Sequence, residues 1–337
     1  MQGRYWLPFA VYEIVLGFGM YWNMNEQSLL KPPRAFINLA MTTVLLTVGL
    51  IVFGAIVRVT DSGLGCGNSW PLCDGKVLPP LDNLTAWIEW SHRLIAMLIG
   101  VLGIGMLVLS WRGYRKNNPV VLTITFIAAG LFAFQSGLGA IVVIFDLPPT
   151  IVTLHLASAM LLLGALLLSA ILAWHRPPAT PTPRDVVTTL AYVTMALSLI
   201  IILTGALVRG SGATLACPDY PLCNGEILPF GQGSLETVHM MHRLAVVGLG
   251  FMLIMLVWYI YRGGRGVLLR RLSVLALVLY FAQAIVGAFF VLTSAAPIWG
   301  ASHVGLASTV WALLVAICAI DTLNSRQSVG NTAPAVA

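Results

Sequence analysis

Charged residues are what this sequence has least of. Asp, Glu, Lys and Arg make up 9% of the 337 residues, against 58% hydrophobic. The mean hydropathy of +0.91 is far above that of a water-soluble domain, so an ordinary soluble fold is excluded. Also missing is the alternation of apolar and polar residues that a membrane-spanning strand needs. The backbone polar groups inside a bilayer must therefore be satisfied within helices. The N-terminus lacks the basic start of a secretory signal. The net charge of +6 comes from basic residues gathered in alternate loops, which marks membrane topology and gives no footprint for nucleic acid.

What the sequence does have is a succession of apolar runs longer than the roughly 20 residues a helix needs to cross the hydrocarbon core. They predict an all-α integral membrane protein with eight transmembrane helices, at residues 36–59, 87–110, 120–145, 150–174, 186–208, 237–261, 267–293 and 298–320. Residues 1–35 form an N-terminal extension, whose apolar stretch 6–22 is interrupted by Pro8 and Glu13. That stretch reads as an interfacial helix, with a ninth span as the alternative. Residues 324–337 have the small, polar composition of a disordered tail.

Lys31 and Arg34 precede the first span, and Arg112, Arg115 and Lys116 follow the second. Arg176 and Arg184 follow the fourth, and Arg262, Arg265, Arg270 and Arg271 the sixth. The opposite loops carry Asp61, Asp74, Asp82, Asp146, Asp219 and Glu226, with little more than Lys76. Basic loops stay in the cytoplasm. The expectation is a multi-pass protein of the cell membrane with both termini cytoplasmic and its cysteine-bearing loops outside.

The second half repeats the first at an offset of about 150 residues. Gly54-Ala-Ile-Val-Arg58 answers Gly205-Ala-Leu-Val-Arg209, and Trp70-Pro-Leu-Cys-Asp-Gly75 answers Tyr220-Pro-Leu-Cys-Asn-Gly225. His92-Arg93-Leu94 answers His242-Arg243-Leu244, Gln135 answers Gln283, and His155 matches His303. Each copy has four spans, an even number, so both enter the membrane in the same direction. Two tandem four-helix bundles related by a pseudo-twofold axis along the membrane normal are expected, at 36–175 and 186–323. The Pro-rich stretch 176–185 joins them as a cytoplasmic linker.

Of six histidines, His92, His155, His242 and His303 fall at matched positions inside spans, where an unpaired imidazole is costly and usually functional. Each lies about five residues past the outer start of its span, a common depth somewhat under 10 Å at 1.5 Å per residue. Two imidazoles per bundle at one level suit the axial positions of haem iron. Hydrogen bonding between helices is the plainer alternative. A zinc or copper site would want further ligands at that level, and the second bundle offers only His239.

Glu89 and His239 share one repeat position, three residues before His92 and His242 and on the same helical face. Glu89 reads either as an interfacial carboxylate paired with Arg93 or as an acid beside a haem edge, able to move protons during oxidation of a ring substituent. His239 reads as a group supporting the ligand, an alternative ligand or polar lining. Arg58, Arg93, Arg209 and Arg243 are either snorkelling anchors or partners of haem propionates. Gly137, Gly139 and Ala140, with Gly287 and Ala288, would let a flat macrocycle approach a helix, or serve ordinary helix packing. Cys66 with Cys73, and Cys217 with Cys223, lie in the long loops of the oxidising side, where a short disulfide in each copy is expected, either as staple or as redox pair. Cys318 reads as an inert buried thiol.

Together these residues resemble the haem A synthase family over residues 36–323. The likeness rests on Glu89-Trp-Ser-His92-Arg93, on His239-Met-Met-His242-Arg243, on His155 and His303, and on the two loop cysteine pairs with unequal spacing. It implies oxidation of the C8 methyl of haem O to a formyl group, giving haem A for terminal oxidases. His92 and His155 would then flank haem O as substrate in the N-terminal bundle, with Glu89 as the catalytic carboxylate. His242 and His303 would hold a permanent haem b in the C-terminal bundle, so that all four imidazoles are axial iron ligands. Cys66–Cys73 would be the pair tied to activity and Cys217–Cys223 the structural one. Haem O synthase (protohaem farnesyltransferase) and cytochrome oxidase assembly factors are the partners it implies. A homo-oligomer is compatible with the sequence. The rival readings are a two-haem transmembrane electron carrier and a haem exporter or chaperone.

Overall fold

The computed structural model describes residues 34–325. The expected interfacial helix at 6–22 and the tail beyond Ser325 lie outside the described residues. Within them are eight helices long and apolar enough to cross a membrane. They are α1 (Arg34–Val59), α2 (Leu84–Tyr114), α3 (Pro119–Ile144), α4 (Pro149–Trp174), α5 (Val186–Gly210), α6 (Ser234–Arg262), α7 (Val267–Leu292) and α8 (Pro297–Asn324). The protein is thus an all-helical, multi-pass membrane protein, as hydropathy predicts, with ends shifted by a few residues.

Polar punctuation sets those ends. Asn83, Asn118 and Asp185 accept the exposed amides of Ala86, Val121 and Val187 at three helix starts. Pro119, Pro149 and Pro297 occupy first-turn positions where no amide is needed. The turns after α3 and α7 each run through two left-handed residues, Asp146 and Leu147 in one and Ser294 and Ala295 in the other. In both, the second residue's amide returns to a helix carbonyl, Leu147 to Val142 and Ala295 to Phe290, each at 2.8 Å. The repeat therefore extends to backbone conformation.

α1 packs against α2 and α4, and α3 against α2 and α4; α5 packs against α6 and α8, and α7 against α6 and α8. Across the two sets, α1 meets α8, and α4 meets both α5 and α8. α4 and α8 are the most enclosed helices, and they carry His155 and His303. Small residues permit the close approach: Gly164 receives the Trp311 ring and Gly305 receives Val52. Inward hydroxyls such as Thr43, Thr125 and Thr194 donate to carbonyls one turn back in their own helices, at 2.7–2.8 Å.

At the end opposite the cysteine loops, Arg265 is fully buried and pairs with Asp321 at 2.7 Å and with Asp185 at 2.8 Å. Asp321 also accepts from Thr188 at 2.6 Å, and nearby His175 meets Asn324 at 2.7 Å. Removing one member of such a cluster leaves a charge buried without its partner. Arg265→Ala is expected to lower the unfolding free energy by about 3–5 kcal/mol, measured as a lower melting temperature of the purified protein. A change below about 1 kcal/mol would mean that solvent screens the cluster.

Candidate functional site

The site lies where the long loops after α1 and α5 fold back over the starts of α2 and α6. Each loop closes on a two-residue turn, Asp74-Gly75 in one and Asn224-Gly225 in the other, with all four residues at positive φ. Backbone pairs between Cys73 and Lys76, and between Cys223 and Glu226, flank these turns at 2.8–3.0 Å. Disulfides Cys66–Cys73 and Cys217–Cys223 cross the loops, and all four cysteines are buried. The amides of Gly225 and Asn224, donating at 3.0 and 2.7 Å, hold the Asp219 carboxyl below the usual carboxylate range. Cys318 is a buried free thiol in α8.

The arginines beside the histidines grip these loops. Arg93 donates to the carbonyls of Ser69 and Leu72, both at 2.9 Å, and pairs with Glu89. Arg243 donates to the carbonyls of Asp219, Leu222 and Cys217 at 2.8, 2.6 and 2.8 Å. These bonds to loop carbonyls add a role that neither the anchor nor the propionate reading named. The signal was present in the sequence, since His-Arg and the Pro-Leu-Cys loop recur together. Arg209 pairs with Asp61 of the other copy at 3.6 Å, near the exposed surface.

Glu89 is 3% exposed. Its Oε2 accepts the Cys66 amide at 2.8 Å and its Oε1 faces Arg93. His239 does the same for the second loop, its Nδ1 taking the Cys217 amide at 3.4 Å. The shared position therefore supplies an acceptor for the first cysteine of each loop. Only the first copy makes that acceptor a carboxylate.

Below the loops, each of the four histidines rests against a glycine of the preceding helix. A Cβ on Gly54, Gly139, Gly205 or Gly287 would come within 3.1, 3.3, 3.1 or 2.8 Å of Cε1 of His92, His155, His242 or His303 respectively. Bare backbone at these points is what seats the rings. His92 and His155 lie within electrostatic range of one another, as do His242 and His303.

The two pairs differ in what holds them. Thr204 gives its proton to the Ile201 carbonyl at 2.8 Å, so its oxygen accepts from Nδ1–H of His242 at 2.9 Å. Nδ1 of His303 likewise donates to the Gln283 carbonyl at 3.1 Å. Both rings thereby keep the Nε2 lone pair for a metal, with the tautomer set by a supporting hydrogen bond. In the first copy Phe53 stands at the position of Thr204 and stacks parallel to His92, with centroids 6.3 Å apart. The buried Nδ1 atoms of His92 and His155 have no hydrogen-bond partner among the described residues, while Nε2 of His155 meets Gln135 at 3.1 Å. This difference was readable from the repeat, where Thr204 aligns with Phe53, but periodicity alone does not draw the eye to it.

Fold and site together define a multi-pass helical membrane protein with a pair of inward histidines beneath a disulfide loop in each half. Residues 37–315 match the model of the COX15-CtaA family, cytochrome oxidase assembly protein. The chain belongs to that family. It is similar to a protein of Alkalihalophilus pseudofirmus named heme A synthase, 33% identical over 86% of this chain and 99% of that protein. A protein of the same name from Symbiobacterium thermophilum is 33% identical over 90% of this chain and 100% of its own length. Another, from Shouchella clausii, is 35% identical over 79% of this chain and 90% of its own.

Proposed function

We propose that this chain is a haem A synthase, a membrane oxidoreductase that converts the C8 methyl of haem O to a formyl group. The four spans of each copy form tandem bundles about a pseudo-twofold axis along the membrane normal, and the basic loops keep both termini in the cytoplasm. His92 and His155 bind the iron of haem O in the first bundle, and His242 and His303 hold haem b in the second. Bound haem b supplies a one-electron redox centre. The observation that carries this division is the unequal support of the histidines. Thr204 and the Gln283 carbonyl set the second pair in one tautomer, as suits a permanent ligand. In the first pair neither Nδ1 has a partner among the described residues, and the one hydrogen bond, from the Gln135 amide to Nε2 of His155 at 3.1 Å, falls on the nitrogen that would meet the iron and gives way to it, as suits a site that fills and empties.

Glu89, one turn from His92 and tied to the Cys66 amide, is placed to take up protons released as the methyl is oxidised. Arg93 holds that carboxylate in position and the loop over it. Disulfide Cys66–Cys73, in the loop that Glu89 and Arg93 hold, is the pair tied to activity, while Cys217–Cys223 staples its counterpart. Haem O synthase as supplier, and assembly factors of a terminal oxidase as recipients, belong to the same reading.

The test is coexpression with a source of haem O in a host that makes no haem A, followed by chromatography of the extracted pigments. A formyl haem in addition to haem b is expected. Haem b alone, with haem O left unconverted, would favour an electron carrier or an exporter instead.

A further inference from the structure

A cavity of about 200 Å³ opens inside the first set of four helices, lined by Thr43, Gly100, Gly103, Ala129, Phe132 and Leu166 among others. Gly103 lies about 16 Å beyond His92 along α2, so the cavity sits deeper in the helices than the histidines. Its lining is apolar, and the hydroxyls of Thr43 and Thr125 donate to their own helix carbonyls at 2.8 and 2.7 Å, presenting no free donor. Ile104, 63% exposed, forms part of the rim on the side of α2 and α3 that faces lipid.

The second copy serves as an internal control. Leu253 stands where the first copy has Gly103, and Leu277 where it has Ala129. Leu253 is fully buried and Leu277 packs against the core. Tyr280 lies on Gly250 as Phe132 lies on Gly100, and its hydroxyl also donates to the Val246 carbonyl at 2.7 Å, so the copies differ here at the two leucines. The same helical framework is thus able to fill this region with leucine. An apolar void costs stability when nothing occupies it. Small residues retained at two positions in one copy alone therefore point to a ligand that only this copy takes.

We infer that this cavity receives the isoprenoid chain of the haem substrate, so that Gly103 and Ala129 determine which haem the first four helices accept. The inference rests on the reading of His92 and His155 as the substrate site. Haem O carries a long apolar farnesyl-derived substituent and haem b carries none. The copy with the cavity takes the tailed haem, and the copy filled by Leu253 and Leu277 holds the tail-less one.

The experiment installs the second copy's side chains with Gly103→Leu and Ala129→Leu in the full-length protein, purified with haem b bound. A Cβ on Gly103 meets nothing within 4 Å among the described residues, so the added side chain enters open space. Haem O and protohaem are each titrated and followed by their Soret bands. Affinity for haem O is expected to fall at least tenfold in the double variant, with resident haem b and the affinity for added protohaem unchanged. Equal haem O affinity in variant and parent overturns the inference. So does equal affinity accompanied by loss of copurified phospholipid, which would mark the cavity as an acyl-chain site. His92→Ala is titrated alongside. If it abolishes haem O binding while the double variant does not, only the cavity assignment fails. If His92→Ala leaves haem O binding intact, the substrate-site reading itself fails. Should the double variant lose haem b, Ala129→Leu alone is read by the same criteria.

Discussion

Glu89→Gln is expected to reduce haem A formation by about 100-fold or more, the range for loss of a positioned acid or base, while the purified protein keeps its full complement of haem b. The substitution separates the loop contact that the structure shows for Glu89 from the catalytic role proposed for it. An amide oxygen still accepts the Cys66 amide that Glu89 Oε2 receives at 2.8 Å. Arg93 also retains its bonds to the Ser69 and Leu72 carbonyls, so the loop stays docked. What disappears is the negative charge and the capacity to exchange a proton. Glu89→His, which copies the second half of the chain at this position, is expected to be equally inactive and equally well folded. The ratio of haem A to haem b in extracted pigments measures the effect. Conversion within a few-fold of the parent would reduce Glu89 to a loop anchor like His239.

His242→Ala should yield protein without resident haem b, whereas His92→Ala should retain it. The hydrogen bonds behind each ring set this difference. His242 is oriented by Thr204 at 2.9 Å and His303 by the Gln283 carbonyl at 3.1 Å, and supporting bonds of this kind raise a ligand's basicity and hold its geometry. Losing either ring would remove one of the two imidazoles proposed to hold the haem, and alanine brings no nitrogen in its place. Absorbance of the purified variants in the Soret region, scaled to protein, decides the matter. Full haem b in His242→Ala would reject the assignment of the second pair, and its loss in His92→Ala would place the permanent group in the first half instead.

Much of this molecule follows from its sequence. A bilayer offers the backbone no hydrogen-bond partners, so apolar runs of sufficient length must be helical. The eight expected spans accordingly match α1 to α8, differing by at most four residues at any end. The repeat announced itself through residues with special backbone or side-chain demands: the Pro-Leu-Cys loops, the His-Arg pairs and the glycines facing them. Both disulfides, the four histidines at matched positions and the contrast between Glu89 and His239 were legible for the same reason.

Which way each helix faces was not. In lipid the outer surface is as apolar as the core, so hydropathy carries no inside and no outside, and facing is decided by the shapes of side chains that meet across helices. Only in three dimensions does Arg93 turn to the loop, Thr204 accept the Nδ1–H hydrogen bond of His242, or Arg265 become a buried charge between Asp185 and Asp321. The cavity beside Gly103 has the same origin. A missing side chain makes a pocket only when no neighbour fills the space, and that depends on the neighbours' positions. Among the described residues, sequence determined the helices and the reactive residues they carry, because solvent and covalent chemistry act on each residue where it stands. Tertiary structure alone decided the partners, because partnership depends on distances between residues far apart along the chain.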